Sequence, residues 1–362
     1  MSKPLADGLP EFPWDRLASA AAIAQSHPDG IVDLSIGTPV DSTPQVVMDA
    51  LQLHADAPGY PTALGILDLR QAWAHWAKRI VNADVDVNDI CPLLGSKELV
   101  AWLPIVLGLG SDDVVAIPEL AYPTYAVGAL MAGAQCVTYA DADSIPSSAN
   151  VIWVNTPSNP TGQVLNSDEL RNIVRRGRDI NAVVISDECY IELGWDKQPI
   201  SILDDEVTQG DHSGLLSVHS LSKRSNLAGY RSAAVFGDAR LVTSIVSLRK
   251  HAGMLMPTPI QHASIAALHD DAHVAAQKSI YGRRRELLRT ALSQAGFQIS
   301  HSEAGLYLWA TRDESCMETV SWLAQRGILV APGDFYGASG SAHVRVALTG
   351  TDERIAAAIG RL

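Results

Sequence analysis

The chain has 362 residues, 47% of them hydrophobic, and a formal charge of −13. That length exceeds one simple core and points to two domains, or one large α/β domain with an appendage, with ample apolar material for burial. The negative balance excludes a nucleic-acid surface, which needs clustered lysine and arginine to displace counterions.

In chain order, the N-terminal MSKPLADGLPEFPWDR carries acids and prolines where a signal peptide needs a basic segment and an apolar core, so a cytoplasmic protein is expected. Leu69, Trp73, Trp76 and Ile80 recur at helical spacing and read as core. LLGSKELV follows, with Gly95 and Ser96 opening a helix. From about residue 90 to 240, short β-branched runs alternate with helical periods, the pattern of a mainly parallel central sheet flanked by helices. The predicted strands are DVVAIP (113–118), NVIWVN (150–155), NAVVISDE (181–188), LLSVHS (215–220) and RSAAVFG (231–237). The longest uncharged stretch, Leu120 to Ala140, holds Pro123, Thr124, Gln135 and three tyrosines, a poor membrane span but a reasonable strand or loop before a packed helix. Between the second and third strands a helix is predicted, with Ser167 as cap, Asp168 and Glu169 in the first turn, and Leu170, Ile173 and Val174 on one apolar face. The cationic runs RRGR (175–178) and RRR (283–285) fall in helical patterns and read as solvated faces. After about residue 255 the pattern changes: MPTPIQ breaks the chain, a long helix follows, and strands return at GLYLWA and HVRVAL. We therefore expect an α/β protein with a large domain over 41–250 and a smaller α+β domain made of 1–40 plus 251–362. Cys91, Cys136, Cys189 and Cys316 are too scattered for a disulfide framework or a zinc site, and no metal is expected.

In open parallel sheets, ligands gather outside the carboxyl ends of the strands. NVIWVN runs into TPSNPTG, NAVVISDE ends in Asp187-Glu188-Cys189-Tyr190, and LLSVHS ends in Ser220-Leu221-Ser222-Lys223. Lys223 could be a solvated loop residue, a phosphate contact or an amine held for covalent chemistry. An amine that attacks an aldehyde must lose its proton near neutral pH, which a nearby cation such as Arg231 favours. Arg231, Ser220 and Ser222 also suit a phosphate dianion, as do the free N–H groups of the helix opened by Gly95 and Ser96. An aromatic aldehyde carrying a phosphate ester fits all of these, and pyridoxal 5′-phosphate is one. Asp187 has the chemistry to keep its ring nitrogen protonated, Tyr190 and Asn159 could donate to its phenolic oxygen, and Tyr122 could stack on its face.

SLSKRSNLAGYR (220–231) resembles the cofactor-lysine motif of the class I/II aminotransferases, pyridoxal-phosphate enzymes of fold type I. GYPTALGILDLRQA (59–72), AYPTY (121–125), SNPTG (158–162), DECY (187–190), APGDFYG (331–337) and VRVALTG (344–350) fall in that family's order and spacing, so the resemblance spans essentially the whole chain. It implies that Lys223 binds the cofactor aldehyde and shuttles the proton, that Asp187 faces the ring nitrogen, that Tyr190 and Asn159 face the phenolic oxygen, and that Tyr122 stacks. It implies phosphate contacts from Ser96, Ser220, Ser222 and Arg231, with backbone N–H groups at Gly95 and Lys97. Tyr60 resembles the tyrosine that reaches the phosphate of a partner subunit, which implies a homodimer with shared sites. Arg345 resembles the arginine that grips the substrate α-carboxylate, with Gly37 and Asn159 beside it.

Within the family, SLSKRSNLAGYR, RKHAGMLMPTPIQ (249–261) and FPWDRLA most resemble the actinobacterial type of N-succinyldiaminopimelate aminotransferase. That implies amino transfer between N-succinyl-LL-2,6-diaminopimelate and 2-oxoglutarate in lysine and diaminopimelate biosynthesis, with small amino and oxo acids as the only partners besides a second subunit. A cationic or donor-rich side-chain pocket is required, for which Arg224, Ser225 and Asn226 are candidates. Two alternatives stay open: an aminotransferase of another amino acid, and a carbon–sulfur β-lyase, which would keep Lys223, Asp187, Tyr190 and Arg345. The side-chain arginine of aspartate aminotransferases has no counterpart in the pattern.

Overall fold

The structure, a computed structural model, describes residues 5–362. In chain order its strands are β1 (Val32–Asp33), β2 (Ile90–Leu93), β3 (Val114–Pro118), β4 (Gln135–Tyr139), β5 (Ala149–Asn155), β6 (Val183–Asp187), β7 (Leu215–Ser220), β8 (Ala233–Gly237), β9 (Gln298–Ser300), β10 (Tyr307–Thr311), β11 (Ile328–Leu329), β12 (Ala331–Pro332) and β13 (His343–Ala347). Seven of them form one sheet in the order β2-β8-β7-β6-β5-β3-β4. Its pairings are parallel except at β8, which runs against both β7 and β2.

Alternation along the strands builds a core on each face. Ile152, Val154, Val184, Leu215 and Phe236 turn to the side of Trp73 and Trp76, on the helix Leu67–Ile80. Val151, Trp153, Ile185, Leu216 and Val235 turn to the side of Leu99, Leu103 and Tyr125. Burial on both faces explains why these segments read as continuous apolar runs. A third core packs Leu288 and Leu292 of the helix Asp271–Gln294 against Trp309, Val344 and Val346 of a four-stranded sheet, β12-β13-β10-β9. The helix Thr258–His269 lies beyond the break at MPTPIQ, yet it sends Ala263, Ala267 and Leu268 into the core of Trp73 and Trp76.

Three expectations are corrected. The helix after β5, Ser167–Asp179, is capped by Asn166 rather than Ser167: Asn166 Oδ1 accepts the N–H groups of Asp168 and Glu169, and Glu169 Oε2 accepts that of Asn166. This reciprocal capping box places the boundary one residue earlier. Arg284 and Arg285 are not a solvated face, each being 4% exposed. Arg284 grips both oxygens of Asp41 at 2.7 Å and Arg285 pairs with Asp196, so the run holds elements together. Finally, β2 and β4 were not anticipated, because ICPL is short and contains proline, and β4 lies inside the long uncharged stretch.

The two large sheets meet where the turn after β5 lies against the segment before β10. Ser302 N–H donates to Thr161 O at 2.8 Å, Ala304 N–H to Gly162 O at 3.0 Å, and Val164 N–H to Glu303 Oε2 at 3.0 Å. Gly162 has φ +70°, and a Cβ there would come within 2.6 Å of Ala304 O. No helix among the described residues is long and apolar enough to cross a membrane.

Candidate active site

Asn155 and Asp187 are the last residues of β5 and β6 and stand opposite one another in the parallel register. Beside them β7 ends in Ser220, whose Oγ accepts the N–H of Ser222 and caps the four-residue helix Leu221–Arg224. One turn of helix past the strand end turns Lys223 into the cavity that Asp187 also lines. The cavity at this edge measures about 410 Å³, and its walls include Gly37, Ser96, Lys97, Tyr122, Asn159, Asp187, Tyr190, Ser220, Ser222, Lys223, Arg231 and Arg345. The ends of β5, β6 and β7, the start of the helix Ser96–Val106, the loop after β1 and β13 therefore converge on one cavity.

Asp187 is buried. Its Oδ2 accepts the Tyr125 hydroxyl at 2.9 Å, its Oδ1 accepts the Cys189 N–H at 3.2 Å, and its backbone oxygen accepts Asn155 Nδ2 at 2.8 Å. Burial raises its pKa, and the Cys189 and Tyr125 hydrogen bonds hold that rise back. Lys223, half-buried, donates from Nζ to the carbonyl of Gly37. Arg345 is 2% exposed. Its Nη1 donates to Asn159 Oδ1 and its Nη2 to Ser35 O, both at 2.7 Å, while Nε has no partner. A guanidinium carries five N–H donors, so two engaged here leave a fork open for a carboxylate. The Tyr190 hydroxyl lies 3.2 Å from that of Tyr307.

The opposite end suits a phosphate. The helix Ser96–Val106 starts at Ser96 with free N–H groups, capped by Gly95 at φ +85°. A Cβ at Gly95 would lie 2.1 Å from Arg231 Nη2, so only glycine lets the arginine reach this helix start. Arg231 itself is in the left-handed region at φ +57°. The hydroxyls of Ser220 and Ser222 and the ring of Tyr122 line the same cavity, and Asp187 is the one carboxylate among its described walls. These residues fit a phosphate ester of an aromatic aldehyde. Among the described residues no cluster of three or more His, Cys, Asp or Glu is arranged for a metal.

Not every expected residue is gathered. Tyr60 is 99% exposed and belongs to a separate hollow with His54 and His262. Arg224, Ser225 and Asn226 turn away from the cavity, which removes them as side-chain readers. Successive helical residues point in different directions, so Arg224 is directed into the protein, where it pairs with Glu192 and donates to Ala267 O. Ser225 bonds His273, and Asn226 bonds Gln277 and Ser42. The sequence reading left Tyr125 as an alternative to Tyr122 for the stacking ring, and it missed Asn155, Tyr307, Phe12 and Trp14 as cavity residues. Asn155 carried a usable signal, a polar residue closing an apolar strand opposite Asp187; Phe12 and Trp14 lie in the quoted FPWDRLA, but nothing in that stretch marked them as cavity residues.

A family model for aminotransferase class I and II matches residues 29–362. The chain is 55% identical over 357 residues to a probable aminotransferase of Mycobacterium tuberculosis, covering 98% of this chain and 85% of that one. It is 54% identical over 355 residues to a 4-dedimethylamino-4-oxo-anhydrotetracycline transaminase of Streptomyces rimosus, covering 98% and 99%. A solved aminotransferase of Neisseria meningitidis superposes with a TM-score of 0.90 at 32% identity, covering 99% of both chains.

Proposed function

The chain belongs to the class I and II aminotransferase family and uses pyridoxal 5′-phosphate, and from that premise we propose that it transfers an amino group between N-succinyl-LL-2,6-diaminopimelate and 2-oxoglutarate. The observation that carries amino transfer at this site is the convergence of Lys223, Asp187 and a buried Arg345 with free donors on one cavity. When bound, the cofactor supplies an aldehyde that takes up the amino group and a ring that withdraws electrons from the carbon being deprotonated.

The chain's own groups do the rest. Ser96, Ser220, Ser222 and Arg231 hold the phosphate, with the N–H groups at Gly95–Lys97. Asp187 faces the ring nitrogen and keeps a proton there. Tyr190 and Asn159 face the phenolic oxygen, and Tyr122 covers one ring face. Arg345 grips the α-carboxylate with the donors left over from Asn159 and Ser35, beside the backbone of Gly37. Holding that carboxylate leaves the Cα–H bond as the one to break, which favours amino transfer over decarboxylation. Nζ of Lys223 would take the proton from the substrate Cα and serve as the acid that gives it back, so its removal costs the general acid–base contribution of about 10²–10⁴ in rate.

For the distal end of the substrate, the Lys97 ammonium lies 5.6 Å from the Phe12 ring and 6.0 Å from the Tyr122 ring on the cavity wall. It supplies a cation for the distal carboxylate of glutamate or of a succinyl group. Support for the succinylated substrate comes from SLSKRSNLAGYR, RKHAGMLMPTPIQ and FPWDRLA. Two subunits share sites in this reading, because Tyr60 meets a phosphate only from a partner.

A second reading has its own support. The transaminase of Streptomyces rimosus is covered almost end to end at 54% identity, which favours 4-dedimethylamino-4-oxo-anhydrotetracycline as the amino acceptor. A half-reaction panel separates the two. Glutamate should bleach the visible absorption of the bound cofactor; regeneration by N-succinyl-2-amino-6-oxopimelate supports the first reading, and regeneration by the tetracycline ketone alone supports the second. A response confined to aromatic amino acids overturns both.

A further inference from the structure

We propose that Tyr307 is a positioning residue that joins the carboxylate-binding arginine to the phenolic-oxygen donor: its ring carries Arg345 and its hydroxyl donates to that of Tyr190. The inference rests on the roles given above to Arg345 and Tyr190.

The placement follows from strand register. β10 and β13 are antiparallel, with Trp309 opposite Arg345 and Tyr307 opposite Ala347. Tyr307 is therefore the diagonal neighbour of Arg345 on the same face, within reach of a long side chain. The guanidinium carbon sits 3.9 Å from the Tyr307 ring centroid, close enough for a desolvated cation–π contact that fixes its plane. From the other side comes Tyr190, three residues beyond β6. The two rings meet edge to face at 5.8 Å and their hydroxyl oxygens are 3.2 Å apart. A Cβ on Gly37 would stand 2.1 Å from the Tyr307 hydroxyl, so glycine at 37 makes room for that hydroxyl. Gly37 is also the residue whose carbonyl receives Lys223. One side chain thus touches the substrate arginine, the phenolic-oxygen donor and the loop beside the lysine.

Either hydroxyl could donate across the 3.2 Å contact, and the surroundings choose. Burial by itself raises the Tyr307 pKa, but Arg345 and then Lys223 outweigh it and leave the hydroxyl more acidic than an ordinary phenol. Tyr190 goes the other way, pushed up by burial and next by Tyr307. Cys189 raises both, Arg345 also acts on Tyr190 to lower it, and Tyr281 and Tyr336 are further titratable neighbours of Tyr307. The Arg345 guanidinium lies 3.9 Å from the Tyr307 ring centroid and so favours Tyr307 as the donor of the pair, which leaves the proton of Tyr190 free to point at the cofactor's phenolic oxygen. Receiving one hydrogen bond makes Tyr190 a stronger donor of the next. A donor to that oxygen competes for the lone pair that the titrating proton of the bound cofactor uses, and so lowers the pH midpoint of the visible absorption.

Tyr307→Phe keeps the ring and removes the hydroxyl; Tyr307→Leu removes both. In the cofactor-loaded enzyme, Tyr307→Phe should move the absorption midpoint up by about half a unit, the worth of a fraction of one hydrogen bond. Its affinity for glutarate, an unreactive dicarboxylate read by the spectral change it causes, should stay within about twofold. Tyr307→Leu should shift the midpoint equally and weaken glutarate about fivefold, as expected for loss of a cation–π contact. Tyr190→Phe should raise the midpoint on its own, and adding Tyr307→Phe to it should add nothing further. An unchanged midpoint in Tyr307→Phe, or additive shifts in the double variant, overturns the coupling. If Tyr190→Phe leaves the midpoint alone, or Arg345→Lys leaves glutarate binding intact, the roles of those residues fall first and the coupling falls with them.

Discussion

At Asp187 two neighbours decide whether a buried carboxyl stays ionised. Tyr125 and the Cys189 amide both donate to it, against the pull of burial. Tyr125→Phe removes a hydrogen bond to a charged acceptor worth about 1.5–3 kcal/mol. The Asp187 pKa then rises, and the acidic limb of the kcat/KM profile should move up by about one unit, so that the variant loses most at low pH and recovers as pH rises. Lys223→Ala should abolish the visible absorption of the bound cofactor and cost at least about 10²-fold in turnover. The sequence singled out Lys223, Asp187, Tyr190 and Arg345 because each sits in a stretch of fixed spacing, and the four line one cavity. It could not separate the work of Tyr122 from that of Tyr125, three residues apart at the mouth of a helix. Only the helix rotation, which stacks Tyr125 on Trp153 at 4.8 Å and leaves Tyr122 in the cavity, does so.

Between β6 and β7, Glu188 and His219 face each other at 3.4 Å, both fully buried. Burial raises Glu188 to about 7 and lowers His219 to about 3, so near pH 5–6 the pair is an uncharged acid beside an uncharged imidazole. The two groups act on stability with opposite sign. Glu188 binds its proton more tightly folded than unfolded, so its contribution is lost as pH climbs from about 4.5 to 7. His219 binds its proton less tightly when folded, so its contribution is lost as pH falls from about 6.5 to 3. Glu188→Gln, which copies the neutral acid, should gain stability over the parent on the order of 3 kcal/mol between pH 4.5 and 7.5, read from denaturant unfolding. A flat difference across that range would refute the neutral pair. A second element-level test concerns the helix Ser96–Val106, anchored where Arg249, 1% exposed, grips Glu98 at 2.7 and 2.8 Å. Glu98→Gln strands a buried charge at a cost of about 3–5 kcal/mol, and adding Arg249→Met should recover most of it in thermal unfolding. The elements legible in sequence were those with a period to read. β7 appears where LLSVHS predicted it, whereas β4, an exposed edge strand, has no alternation that would mark it.

Across the whole molecule, the α/β class and the mainly parallel sheet were visible because doubly buried strands leave uninterrupted apolar runs. The tertiary placement of Arg284 and Arg285 was not, since a charge run looks the same whether it meets water or Asp41 and Asp196. Tyr60, bare in one chain, argues for a second. Sedimentation should give a particle of twice the chain mass, and Tyr60→Ala should weaken cofactor retention while leaving that mass unchanged. A monomer that retains full cofactor affinity would remove the shared site. The stitched contact between Thr161–Val164 and Ser302–Ala304 sets one more condition. Those bonds, with Trp195 Nε1 donating to Gly305 O at 2.8 Å and Arg345 donating to Asn159 Oδ1 at 2.7 Å, tie the β10–β13 sheet to the cavity edge at several points. Arg345 rides on β13, and Trp14 travels with it through its contact with Phe335 and the Arg16–Asp334 pair. The guanidinium and the aromatic rim therefore form one wall of the cavity, and a substitution that shifts β13 shifts both.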